Sequence, residues 1–150
     1  MFRGATKVTL DDKGRILMPT RHREPISERC QGKLVVTVDR DQCLLIYPQP
    51  DWEETERKLM NLPTLHPQSR RLQRLMVGYA TELELDGHGR FLLPAELREF
   101  AGLQRHAMLI GQRNRFELWD EARWAEWCSF SLKSEAAVTD LPALLDSLSL

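Results

Sequence analysis

The chain contains the same sequence twice, and that duplication limits its folds more than any other feature. Residues 3–24 and 78–99, aligned at an offset of 75, agree at ten of 22 positions. The identities are Ala5/Ala80, Thr6/Thr81, Leu10/Leu85, Asp11/Asp86, Gly14/Gly89, Arg15/Arg90, Leu17/Leu92, Pro19/Pro94, Arg23/Arg98 and Glu24/Glu99. After a three-residue deletion, residues 44–54 lie over 116–126, and Trp52 falls on Trp124. Two copies are too few for a solenoid. A single copy falls below the roughly 80 residues at which a lone hydrophobic core becomes adequate. The expected solution is two half-size units packed as a pseudo-dimer around one core. Unit one spans 1–62, a linker helix 63–77, unit two 78–131 and an acidic tail 132–150.

Within unit one, Thr6, Val8 and Leu10 alternate with their neighbours in strand periodicity. Asp11-Asp12-Lys13-Gly14 is turn chemistry, and Ile16-Leu17-Met18 reads as a second short strand. Pro19 opens a helix, because its missing N–H costs nothing in a first turn. Pro25 is expected to end or kink that helix early, which makes the matching helix at 95–101 the longer one. Leu34–Val38 and Leu44–Tyr47 form a hairpin around Asp39-Arg40-Asp41-Gln42, and Pro50 begins a helix carrying Trp52. Unit two repeats the order. In the linker, Leu72, Leu75 and Met76 share one face, and Arg70, Arg71 and Arg74 another, read as solvated. Leu141, Leu144, Leu145 and Leu148 point to a short amphipathic helix in the tail.

The charge total, 21 basic against 22 acidic side chains in 150 residues, argues against a polyanion binder. Divided at the repeat, it reads differently. Residues 1–75 hold 14 basic and 10 acidic groups, whereas residues 76–150 hold 7 and 12. Such asymmetry hints at one polyanion-facing side. Cys30, Cys43 and Cys128 are odd in number and without CxxC spacing, which fits a reducing cytoplasm. Neither a signal peptide nor a membrane-length apolar run is expected.

The motif Asp-x-x-Gly-Arg-x-x-x-Pro occurs twice, as Asp11…Gly14-Arg15…Pro19 and Asp86…Gly89-Arg90…Pro94. It admits two readings. In one, Asp and Arg brace a hairpin turn as a structural ion pair. In the other, the turn presents basic side chains to DNA, where Arg and Lys neutralise phosphates and Arg grips guanine bidentately. Unit one is the better DNA face, because Lys7, Thr9 and Lys13 become Glu82, Glu84 and His88 in unit two.

These motifs, with the opening MFRGA, LLIYP…W, AGL and FELWD, resemble the MraZ family over nearly the whole chain. The resemblance implies an α+β, strand-rich fold of two tandem AbrB-like (SpoVT/AbrB) swapped-hairpin units with short helices. It implies a cytoplasmic, nucleoid-associated repressor of its own operon, the cell-division and cell-wall gene cluster. It implies double-stranded DNA as partner, bound at short G-containing direct repeats, and a homo-oligomeric ring. Carried over, the binding motif is Lys13-Gly14-Arg15, with Arg15 foremost and Arg3 nearby; the basic side chains of unit one add Lys7 to the DNA-binding candidates. Asp11, Asp86, Gly89 and Arg90 form the turn and ion-pair motif, and His88 with Arg90 occupies the matching place in unit two. The competing reading is a ring-forming interaction protein that reads no DNA sequence.

Enzymatic chemistry is not expected. The histidines 22, 66, 88 and 106 are scattered without metal-ligand spacing, so no metal is anticipated. No glycine-rich phosphate loop occurs, and neither a cofactor nor a small-molecule substrate is expected. The four tryptophans read as packing groups.

Overall fold

A computed structural model describes residues 1–133 and 141–148. The chain divides into two compact units, Met1–Asp120 and Glu121–Leu150. In the first copy the order is β1 (Phe2–Thr9), β2 (Arg15–Leu17), α1 (Thr20–Cys30), β3 (Lys33–Val38), β4 (Leu44–Pro48) and α2 (Gln49–Met60). The connection forms α3 (Pro67–Leu72) and a π-helical turn (Gln73–Val77), closed by the Gly78 N–H donating to the Gln73 carbonyl. The second copy gives β5 (Thr81–Glu84), β6 (Arg90–Leu92), α4 (Ala95–Phe100), β7 (His106–Arg113), β8 (Phe116–Asp120) and α5 (Glu121–Lys133). A last helix, α6, covers Leu141–Ser147. The remainder of the anticipated tail, 134–140 and 149–150, lies outside the described residues.

The copies exchange strands. One six-stranded sheet runs β1-β7-β8-β4-β3-β5, and a two-stranded ribbon pairs β2 with β6. Substituting each strand by its repeat counterpart returns the same order reversed, so a pseudo-twofold axis relates the copies. It passes between Leu45 and Glu117 in the central β4–β8 pair and between Ile16 and Phe91 in the ribbon, where equivalent residues face each other. Each first strand pairs with the other copy's hairpin: Val8 faces Ala107, and Leu83 faces Leu34. This is the swapped-hairpin arrangement, and it explains why two short units fold as one body.

The core follows from alternation along the strands. Leu34, Val36, Val38, Leu44 and Ile46 turn to one sheet face, where they meet Ile16, Phe91, Ile26 and Leu97 from the ribbon and helices of both copies. Val35, Leu45 and Tyr47 turn to the other face and pack with Trp52, Met76 and Val77. Strands β3 and β4 are therefore buried on both sides, which accounts for their continuous apolar runs. The linker is pinned to this second face: the Thr37 hydroxyl donates to the Met76 carbonyl at 2.5 Å, and Gln73 Nε2 to the Leu59 carbonyl at 3.0 Å. Leu75 reaches the main core, while Arg70, Arg71 and Arg74 are exposed.

The helix lengths reverse the expectation from Pro25. Helix α1 runs 11 residues straight through Pro25, and α4 has only six. His22, Ile26 and Cys30, four residues apart, are buried and hold α1 against the core on both sides of the exposed proline. That packing outweighs one lost backbone bond. Helix α4 stops for its own reason. Gly102 takes φ +62°, the Leu103 N–H donates to the Arg98 carbonyl, and the Gly102 N–H to the Glu99 carbonyl, a Schellman cap.

In the second unit, Trp124 and Trp127 stack along α5 with ring centroids 5.4 Å apart, and Phe130 and Leu132 are exposed. No helix among the described residues is long and apolar enough to cross a membrane.

Candidate nucleic-acid interface

The two Asp-x-x-Gly-Arg motifs build the same turn twice. The Asp11 N–H donates to the Arg15 carbonyl and the Gly14 N–H to the Asp11 carbonyl; Asp86, Arg90 and Gly89 repeat both bonds. Asp11 Oδ1 accepts from the backbone N–H groups of Lys13 and Arg15, each at 2.9 Å. Asp86 Oδ1 accepts likewise from His88 and Arg90, at 2.8 and 2.9 Å. The second carboxylate oxygen takes the arginine: Arg15 Nε lies 2.7 Å from Asp11 Oδ2, and Arg90 Nε 3.1 Å from Asp86 Oδ2. Asp is required because only a short carboxylate can accept two local N–H groups and still hold a guanidinium. The Arg15 backbone N–H is the main reason that Asp11's carboxyl is lowered to about 2, helped by the Arg15 side chain and the Lys13 N–H. The Arg90 backbone N–H lowers Asp86 in the same way, with His88 assisting.

Glycine at the fourth turn position is a double requirement. Gly14 and Gly89 take φ of +85° and +81°, which side-chain-bearing residues avoid. A Cβ on Gly14 would also lie 2.7 Å from the Arg98 guanidinium carbon, and one on Gly89 2.6 Å from Arg23 Nε. Each turn is thus backed by an arginine of the other copy. The carbonyls of Gly14 and Gly89 accept from the Leu93 and Met18 N–H groups, which ties each turn to the opposite copy's chain beyond its ribbon strand.

The ribbon sets the outward chemistry. Ile16 and Phe91 face the core, so Arg15, Leu17, Arg90 and Leu92 share the outer face, in the cross-strand pairs Arg15–Leu92 and Leu17–Arg90. Leu17 and Leu92, the last residues of β2 and β6, are 50% and 53% exposed. Arg15's side chain is one-third exposed, and its only hydrogen bond among the described residues is through Nε. Lys13 is exposed at the turn. A cleft of about 630 Å³ beside this turn is lined by Asp11, Asp12, Arg98, Gln104 and Arg105.

The ion pair of the first reading is present in both turns, and each paired arginine lies on the outer face of the ribbon. The structure brings Lys13, Gly14 and Arg15 together and adds Arg90 to the same outer face. It does not bring Arg3 and Lys7 there. They alternate with Phe2 and Val8 on β1 and leave the strand on the side away from the core. Arg21 lies closer to β1's inner side, with Nη2 donating to Thr6 Oγ1 at 2.5 Å. Sequence reasoning counted Arg23 only among the basic groups of unit one and passed over Leu17, Leu92 and Arg98, although all four are among the residues identical between copies. That identity was the available signal, because two sites diverging in charge kept these positions.

Elsewhere, Asp39, Cys43 and Glu117 place donor atoms within 4.8 Å of one another. Cys43 is fully buried, its thiol donates to Asp39 Oδ2 at 3.8 Å, and burial next to these carboxylates pushes the thiol well above its usual range.

Comparison with known proteins agrees with this architecture. The family model described as "MraZ protein, putative antitoxin-like" matches the chain twice, over residues 1–75 and 76–141. The chain is 54% identical over 150 residues to the transcriptional regulator MraZ of Thioalkalivibrio sulfidiphilus, with all of both chains covered. It is 50% identical over 155 residues to that of Halorhodospira halophila, again covering both chains fully. It is 56% identical over 125 residues to that of Pseudomonas aeruginosa, covering 83% of each. A duplicated motif, a strand-swapped sheet and full-length similarity converge, and the chain belongs to the MraZ family.

Proposed function

We propose that the chain is a sequence-specific DNA-binding transcriptional regulator, a repressor of its own operon in the cell-division and cell-wall gene cluster. The observation that carries this reading is the outer face of the β2–β6 ribbon. Two arginines stand there on braced turns, flanked by exposed leucines. A two-stranded ribbon fits the major groove, arginine reads guanine O6 and N7 with two hydrogen bonds, and an apolar side chain reads the thymine methyl. The Asp11 and Asp86 pairs hold each guanidinium before DNA arrives, which reduces the side-chain entropy lost on binding.

In this proposal Lys13, Gly14 and Arg15 make the principal contacts, with His88 standing in the place of Lys13 in the second copy. Arg3 and Lys7, on the side of β1 away from the core, stand outside this contact face. In this proposal the units are 1–62 and 78–131, joined by the linker 63–77 and followed by the acidic tail 132–150. Short G-containing direct repeats would engage successive subunits of a homo-oligomeric ring in the cytoplasm, at the nucleoid. One ribbon binds weakly, and tethering several on one frame adds roughly 10²–10⁴ in affinity.

The test is a footprint on the DNA upstream of the protein's own gene at two salt concentrations. The expected result is protection of repeated G-containing segments, with affinity falling steeply as salt rises. Equal affinity for that DNA and a scrambled duplex at matched salt would leave only the interaction-protein reading.

A further inference from the structure

The backs of the two turns differ in one respect that their shared sequence does not reveal. Arg23, lying across Gly89, donates Nε to the Met18 carbonyl of its own copy at 2.7 Å. Arg98, lying across Gly14, has its Nε buried with no hydrogen-bond partner. A buried charged donor without a partner is costly, and such exceptions call for a reason. Arg98 is therefore held in place by packing against Gly14, whereas Arg23 is also held by a carbonyl of its own copy, just beyond β2.

We propose that Arg98, supplied by the second copy, is a positioning residue for the DNA turn of the first copy. This inference rests on the reading of Lys13-Gly14-Arg15 as a DNA contact. The turn has three attachments to the second copy: the Leu93 N–H on the Gly14 carbonyl at 3.0 Å, the Leu10 N–H on the Arg105 carbonyl at 2.8 Å, and the Arg98 guanidinium filling the space over Gly14. The Leu10 bond fixes the start of the turn and the Leu93 bond holds the Gly14 carbonyl, while Asp11 holds the N–H groups of Lys13, Gly14 and Arg15 from within. Arg98 is the side chain that packs across the Cβ-free face of Gly14, between the two residues that would touch DNA. Removing it takes away the packing behind this hydrogen-bonded turn and loosens the placement of Lys13 and Arg15. The acidic second copy thus acts on DNA through the first copy's turn, without making the contact itself.

The experiment compares Arg98→Ala, Arg98→Lys, Arg23→Ala and Arg15→Ala in the full chain. Each is titrated against a duplex from upstream of the gene and against a scrambled duplex, with melting midpoints measured in parallel. Arg98→Ala is expected to weaken upstream binding by about ten-fold and to narrow the gap to the scrambled duplex. Arg23→Ala loses similar packing plus a hydrogen bond, so its midpoint falls at least as far, yet its binding stays within about two-fold. Arg98→Lys keeps the charge without the plane and is expected to remain about three-fold weaker than wild type; full recovery would show a charge effect and overturn the proposal. Equal losses from Arg98→Ala and Arg23→Ala would also overturn it, since both would then act through stability. If Arg98→Ala melts below the assay temperature, Arg98→Lys against Arg23→Ala carries the comparison. Normal binding by Arg15→Ala would remove the DNA-turn reading itself. Loss by Arg15→Ala with wild-type binding by Arg98→Ala would remove this inference alone.

Discussion

Replacing Gly14 by alanine should expose how the two copies brace each other. The residue sits at φ +85°, where a Cβ costs roughly 1–2 kcal/mol. The new carbon would lie 2.7 Å from Arg98 Cζ and Nε, so the guanidinium must move. Displacing a packed but unbonded group adds about 1–2 kcal/mol, in the range of ordinary overpacking. Gly14→Ala should therefore cost about 2–4 kcal/mol. Gly89→Ala meets the same strain, at φ +81° and 2.6 Å from Arg23 Nε, and also breaks the Arg23–Met18 hydrogen bond. It should cost about 1–2 kcal/mol more, as expected for a bond to a charged donor. Gly87, in the second turn, has ordinary φ and open space where a Cβ would stand, so Gly87→Ala should change stability by less than about 1 kcal/mol. Urea unfolding followed by tryptophan fluorescence measures all three, with unchanged slopes showing that only stability has moved. If Gly14→Ala matched Gly87→Ala, the packing of Arg98 across the turn would be wrong.

Three further outcomes follow from the same geometry. Asp11 should titrate with a midpoint of about 2 by carbon-detected NMR, so its stabilisation of the turn is complete above about pH 4 and lost as pH falls towards 2. In Arg15→Ala the backbone N–H donors of residues 13 and 15 remain, so that midpoint should stay clearly below 3.8. His22 is buried between Phe2 and Phe116, and burial, with Arg21 beside it, lowers its pKa from 6.5. The unfolded chain then takes up a proton that the folded one refuses, so stability should fall as pH drops below 6.5, and His22→Leu should flatten that slope between pH 7 and 5. Phe91→Ala, at the pseudo-twofold axis with 1% exposure, should cost about 3–5 kcal/mol in urea unfolding.

The repeat made most of the fold legible. Two copies that cannot each bury a core must share one, and the matched positions Ile16/Phe91 and Leu45/Glu117 lie on the axis that relates them. Strand exchange itself was not readable from local pattern. Nothing in the alternation of β1 says whether Val8 pairs with its own hairpin or with Ala107. Pro25 misled because local propensity registers one lost hydrogen bond but not the burial of Ile26 and Cys30. The turns and their Asp–Arg pairs were legible because Asp, Gly and Arg at that spacing suit a tight turn, while the backbone N–H groups that Asp11 and Asp86 also accept were not foreseen. The trans support from Arg23 and Arg98 was hidden in two helices, α1 and α4, whose contacts across the copies no local pattern shows. Charge counting placed Arg3 and Lys7 beside Arg15, while strand alternation sends them to the other side of the sheet.

The central claim is that the first copy's turn reads DNA through Arg15. The direct measurement is the affinity of Arg15→Ala and Arg90→Ala for upstream and scrambled duplexes at one fixed salt concentration, with folding checked by melting. A bidentate base contact is worth about 1–3 kcal/mol, so Arg15→Ala should lose roughly 5–150-fold on the upstream duplex and much of its discrimination. Arg90→Ala should lose less. Wild-type affinity and discrimination in a folded Arg15→Ala protein would contradict the account.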